Sequence, residues 1–82
     1  MVKAPGDLHE GEGRVVDGVA FRKEHGRVQA FSAVCPHEAC DVEWNAEERT
    51  WDCPCHGSRF TADGSVLNGP AVEPLKPVEV EK

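Results

Sequence analysis

At 82 residues the chain has room for one small domain, and a core of that size needs help from metals or disulfides to be stable. A formal net charge of −6 argues against nucleic acid and anionic membrane surfaces as partners. No apolar run is long enough to span a bilayer, and the opening "MVKAPGDLHEGEG" lacks a signal-peptide core, so a cytoplasmic protein with no membrane segment is expected.

Hydrophobic residues make up 39% of the chain and charged residues 29%, a globular balance. Val, Phe and Thr recur in short runs punctuated by Gly and Pro, and no window longer than about ten residues carries a helical period. The expected class is all-β, with several short antiparallel strands. "GRVVD" (Gly13–Asp17) reads as the first strand. "VAFRK" (Val19–Lys23) and "VQAFSAV" (Val28–Val34) flank "EHGR", a hairpin turn with Gly26 at its tip. "CPHEAC" follows, from Cys35 to Cys40. "DVEW" and "TWDC" then flank "NAEER", which reads as a second hairpin or a short helical excursion. A hairpin centred between Glu47 and Glu48 sets Trp44 opposite Trp51 and Val42 opposite Cys53. "CPCHGS" runs from Cys53 to Ser58, and "TADGSVLNGP" carries a turn at Asp63-Gly64. The tail "AVEPLKPVEVEK" reads as an edge strand followed by a frayed end.

All four cysteines lie in the two segments just named. Each segment mixes a thiol with an imidazole: Cys35 with His37, and Cys53 with His56. Thiolate and imidazole together suit zinc or an iron–sulfur cluster. A structural zinc finger usually draws its cysteines from one loop and its histidines from another. Mixed pairs suit a two-iron cluster in which one iron takes two cysteines and the other two histidines. Cys40 and Cys55 are left over. Either they bond each other across the loops, at about 3 kcal/mol in the chain-entropy account, or they remain buried thiols. Cys-Pro-Cys is not the C-x-x-C spacing of thiol–disulfide enzymes.

The set "CPHEAC…CPCHGSRF…DGSVLNGPA" resembles the Rieske 2Fe–2S proteins, in the subclass with a disulfide between the cluster loops. The resemblance runs from about Val15 to Leu75. It implies three small antiparallel sheets, with a 2Fe–2S cluster at one tip between two loops and both histidines near solvent. It implies Cys35 and Cys53 as ligands of one iron, His37 and His56 as ligands of the other, and Cys40–Cys55 as the disulfide. Gly69, Pro70 and Ala71 fall where the family has a loop that covers the cluster. Ser58 falls where a serine donates to a bridging sulfide. Phe60 stands where high-potential members have a tyrosine that donates to a cysteine sulfur, and this chain has no tyrosine. A donor to sulfur is worth about 1.5–3 kcal/mol, or about 60–130 mV on a one-electron couple. The expected potential is therefore below that of quinol-oxidising Rieske proteins and above that of all-cysteine clusters.

The wording "VEWNAEERTWDCPCHGSRFTADGSVLNGPAVEPL" resembles more narrowly the C-terminal Rieske domain of bacterial FAD-dependent oxidoreductases. Residues 1–82 are then a single Rieske domain, taken from the C-terminal end of such an enzyme or free-standing as a ferredoxin for an oxygenase or reductase. The implied function is one-electron transfer as a monomeric domain, with a flavin domain or another redox protein as partner. No general base, nucleophile or open metal position stands out, so catalysis by the domain itself is not expected. A zinc-stapled binding module is the alternative from another class. Trp44 and Trp51 read as hairpin packing rather than an electron path, and His9 and His25 as surface residues. Glu43, Glu47, Glu48 and Asp52 read as a solvated hairpin face, with orientation of a basic partner as the other reading.

Overall fold

Two pairs of left-handed residues set up the first sheet. Asp17 and Gly18 have φ of 49° and 77°, and His25 and Gly26 have φ of 54° and 73°. Consecutive positive φ values make turns whose twist matches that of the strands they join. The strands so joined are β1 (Gly13–Val16), β2 (Val19–Glu24) and β3 (Arg27–Ser32), paired antiparallel in sequence order. In the computed structural model, which describes residues 2–35, 40–55 and 57–81, these are three of eight strands, and the described residues form no helix. β4 (Glu43–Asn45), β5 (Thr50–Asp52), β6 (Arg59–Thr61) and β7 (Val66–Asn68) form a second antiparallel meander. β8 (Pro77–Val78) returns to pair with β3, giving the first sheet the order β1-β2-β3-β8. A proline fits on this outer strand, where its missing N–H breaks no ladder.

The all-β expectation holds, with one correction. Three small sheets were implied, and the described residues form two sheets of four strands. The tail strand adds to the open edge of β3 rather than starting a sheet of its own. Nor is the tail simply frayed. Val2 donates to the Glu79 carbonyl at 2.9 Å and Glu81 donates to the Val2 carbonyl at 2.7 Å, so the two chain ends lie side by side.

"NAEER" resolves as a turn. The Asn45 side-chain oxygen accepts the amides of Glu47 and Glu48, each at 3.1 Å, and the Asn45 carbonyl accepts that of Arg49 at 2.7 Å. This asparagine-nucleated turn sets the expected register of Trp44 opposite Trp51. Val42 lies one step past the last β4–β5 pair, Glu43 with Asp52, where the same register would continue to Cys53. The Val42 amide donates to the Ala33 carbonyl at 2.8 Å, because Val42 closes the loop that contains Cys35.

Alternation along the strands divides the core. Ala20 and Phe31 face the second sheet and join Trp51, Phe60, Cys35 and Cys53 in one buried cluster. Phe21 and Ala30 point to the opposite face, where Leu8 and the valines of both chain ends cover them. The two sheets also touch at Gly13. A Cβ there would lie 2.3 Å from the Trp44 ring, so only glycine admits the indole against β1.

Candidate metal centre

Two hairpin stems present the site. In the first, three residue pairs close in sequence. Val42 donates to Ala33, Val34 bridges Asp41, and Cys35 donates to the Cys40 carbonyl at 2.9 Å. Residues 36–39 of its tip lie outside the described residues, and His37 with them. In the second, Trp51 pairs with Phe60 and Asp52 with Arg59. The Cys53 amide then donates to the Ser58 carbonyl at 2.8 Å, and Gly57 donates to the Cys53 carbonyl at 3.0 Å. Gly57 has φ of 77°, which a residue with a side chain rarely adopts. His56 also lies outside the described residues.

Cys35 and Cys53 therefore occupy matching places, each the last ladder residue before its loop. Both are free thiols, both are 2% exposed, and both belong to the main core cluster. Cys40 and Cys55 form a disulfide between the two hairpins, with their Cα atoms 6.5 Å apart. Of the two readings open from the residues, the bonded one holds. Cys40 is half-buried and Cys55 exposed, so the bridge lies outward of the thiols.

Ser58 is fully buried, and its hydroxyl oxygen accepts the Ala71 amide at 3.0 Å. Among the described residues no acceptor takes its proton. Of the expected covering residues, Ala71 is brought to the site and is 3% exposed, while Gly69 and Pro70 are exposed. Phe60 is fully buried in the same core cluster as Cys35 and Cys53.

The base of the second hairpin holds a polar network not foreseen in the sequence. The Asp52 carboxylate accepts from Thr50 Oγ1 at 2.7 Å, Asn45 Nδ2 at 2.9 Å and Arg59 Nε at 3.1 Å. Arg59 also donates to Thr50 Oγ1 at 3.1 Å. Burial pushes the Asp52 carboxyl pKa up, but the hydrogen bonds from Thr50, Asn45 and Arg59 outweigh it and hold the group below the usual aspartate range. Asp52 and Arg59 carry opposite charges equally far from the loop centre, and that symmetry was the available signal. Of the acidic residues expected on a solvated face, Glu43, Glu47 and Glu48 are exposed, whereas Asp52 is bound into this network. His9 and His25 are exposed, as expected.

The donor set suits a cluster of iron and sulfide. Two buried thiols with no disulfide partner are good ligands for iron, and the free proton of the Ser58 hydroxyl suits an anionic sulfur acceptor. The ligand set Cys35, His37, Cys53 and His56 remains the expected one, with its histidine half beyond the described residues.

Comparison with known proteins agrees. Residues 1–79 match the family described as the Rieske [2Fe-2S] domain. Over 80 residues, 92% of the chain, it is 46% identical to YhfW of Bacillus subtilis, named as a Rieske 2Fe-2S iron-sulfur protein; it spans only 16% of that relative's length. The fold is similar to the plasma membrane Rieske protein PetC3 of Synechocystis, with a TM-score of 0.69 and 31% identity over 82% of this chain and 72% of that one. It is also similar to the ferredoxin of carbazole 1,9a-dioxygenase from Nocardioides aromaticivorans, with a TM-score of 0.61 and 28% identity over 88% of this chain and 77% of that one. Matched thiols on two disulfide-tied hairpins and a family match across nearly the whole chain lead to one assignment: the chain belongs to the Rieske [2Fe-2S] domain family, and its cofactor is a 2Fe–2S cluster.

Proposed function

We propose that the domain transfers single electrons to and from a flavin, as the redox domain of an FAD-dependent oxidoreductase. The observation that carries the electron-transfer reading is the placement of Cys35 and Cys53. Each is a buried, unpaired thiol at the mouth of one of two hairpins that a disulfide ties together. Cys35 and Cys53 would hold one iron, and His37 and His56 the other. Bound there, the cluster would supply one-electron redox chemistry, with the imidazoles of one iron donating less charge than the thiolates of the other.

The chain's own residues supply a rigid, dry setting. The Cys53–Ser58 and Cys35–Cys40 backbone bonds fix the loop mouths, and Trp51, Phe60 and Val42 exclude water behind the thiols. A rigid setting keeps reorganisation small when charge changes, since dipoles already in place need not move. Val34, beside Cys35, is 46% exposed, and Val72, beside Ala71, is 88% exposed. These apolar side chains suit a partner that docks near the site and displaces water from it.

The flavin assignment is supported by the narrow wording of the second half of the chain and by YhfW, a protein several times longer than this domain. A second reading, a ferredoxin for an oxygenase, is favoured by the likeness to the carbazole dioxygenase ferredoxin, of which this chain covers 77%. The reading frame upstream of Met1 separates them. A flavin domain encoded in frame supports the first, and a stop codon followed by an independent start supports the second. Anaerobic mixing of the holoprotein with reduced FAD-bound partner domain should bleach the visible bands in a one-electron step. Failure of reduced flavoprotein to reduce a cluster that dithionite does reduce would overturn the flavin assignment.

A further inference from the structure

We infer that the backbone amide of Ala71 is a positioning group for the cluster, acting through the Ser58 hydroxyl and linking the Gly69–Ala71 loop to the reduction potential. The inference rests on the electron-transfer reading above and adds a residue to it. Ser58 has almost no freedom left. It is fully buried, and its carbonyl is held by the Cys53 amide at 2.8 Å. Its hydroxyl oxygen accepts the Ala71 N–H at 3.0 Å, from thirteen residues further along the chain.

A hydroxyl has one proton and two acceptor lone pairs. The incoming N–H occupies one acceptor direction, and the proton must turn away from it. A hydroxyl that accepts one hydrogen bond also donates a stronger one, because each bond polarises the next. Among the described residues no acceptor takes the Ser58 proton. Ala71 and the thiols of Cys35 and Cys53 lie in the same buried cluster, so this chain of donors runs inside the core that backs the site. Displacement of the exposed residues Pro70 and Val72, which flank buried Ala71, therefore reaches the site through one N–H, with no side chain of that loop needed to touch the cofactor.

A double-mutant cycle on the holoprotein tests this, with midpoint potential as the readout and iron and acid-labile sulfide content measured first. Ser58→Ala should lower the potential by removing the hydroxyl donor. Ala71→Pro removes the amide proton, while also adding a ring that fixes φ and restricts Pro70, and should lower the potential by a smaller amount. In the Ser58→Ala background, Ala71→Pro should produce no further shift, because its route has been removed. Replacing Ala71 with lactic acid by segment ligation deletes the same N–H with the side chain kept, and serves if the proline variant does not assemble. Hydrogen exchange gives a readout independent of the potential: the Ala71 amide should be protected in the wild type and exchange faster in Ser58→Ala. A potential unchanged by loss of the amide, an equal shift in both backgrounds, or equally fast exchange with and without Ser58 would overturn the inference. Absence of iron and sulfide from the wild-type chain would instead contradict the cluster assignment itself.

Discussion

Cys40 and Cys55 form a disulfide that joins the hairpin carrying Cys35 to the hairpin carrying Cys53. The β4–β5 ladder, backbone hydrogen bonds within each hairpin and shared core packing also hold the two thiols in register. Changing both Cys40 and Cys55 to Ser should cost about 3 kcal/mol by lost chain constraint. In a domain of this size that lowers the melting temperature by roughly 10–25 °C. Calorimetry with iron analysis checks it, and cluster retention should fall along with stability. Wild-type melting in the double variant would mean that the bridge constrains nothing.

Phe60 offers a second test. It is fully buried beside Trp51 in the cluster that holds both thiols. Phe60→Tyr adds a hydroxyl that must find an acceptor or cost about 1–3 kcal/mol. If a cysteine sulfur is that acceptor, the potential rises by up to about 60–130 mV and stability is kept. Protein-film voltammetry and a thermal melt together read the outcome. An unchanged potential with lowered stability would show that the ring edge does not face sulfur.

Much of this site was legible in the residues because it is local. The turn at His25-Gly26 and the Trp44–Trp51 register follow from turn chemistry and strand alternation. The grouping of Cys35 with Cys53 follows from the two mixed Cys–His segments. What was not legible depends on where distant segments meet. Nothing local in "NGPA" says that the Ala71 amide ends on Ser58, or that Val2 pairs beside Val80. The Asp52–Arg59 pair needed the β5–β6 register before its charges could be seen to meet. The count of sheets went astray for the same reason, since β8 chooses its neighbour by tertiary packing.

Contact between the sheets rests on one missing side chain. Gly13→Ala places a methyl 2.3 Å from the Trp44 ring, so the indole must move. Trp44 lies 4.8 Å, centroid to centroid, from Trp51, so the disturbance passes into the core. Overpacking of this kind costs about 1–3 kcal/mol. Tryptophan fluorescence should shift toward the red as Trp44 gains solvent. An unchanged spectrum and melting point would show that the β1–β4 contact is loose.

Acid should weaken the first sheet. The amides of Gly26 and His25 donate to the Glu10 carboxylate and hold its pKa below the usual glutamate range. Arg14, bonded to Asp7, lowers that carboxyl, and the His9 amide, followed by Arg14, lowers that of Glu12. A carboxylate whose pKa falls on folding adds stability above its unfolded value, near 4.5 for Glu10, and that stability is lost as pH falls through the folded value. Melting temperature should thus be level above about pH 5 and decline below about pH 4. Glu10→Gln should flatten that decline, and parallel curves for the two proteins would remove Glu10 from the account.

Iron and acid-labile sulfide analysis of purified protein, expressed with adequate iron, tests the central claim most directly. The account predicts two irons and two labile sulfides per chain, as the family's 2Fe–2S cluster requires, in a red-brown protein whose visible bands fade on one-electron reduction. Stoichiometric zinc with no iron or sulfide would contradict it and leave a zinc-stapled module in its place.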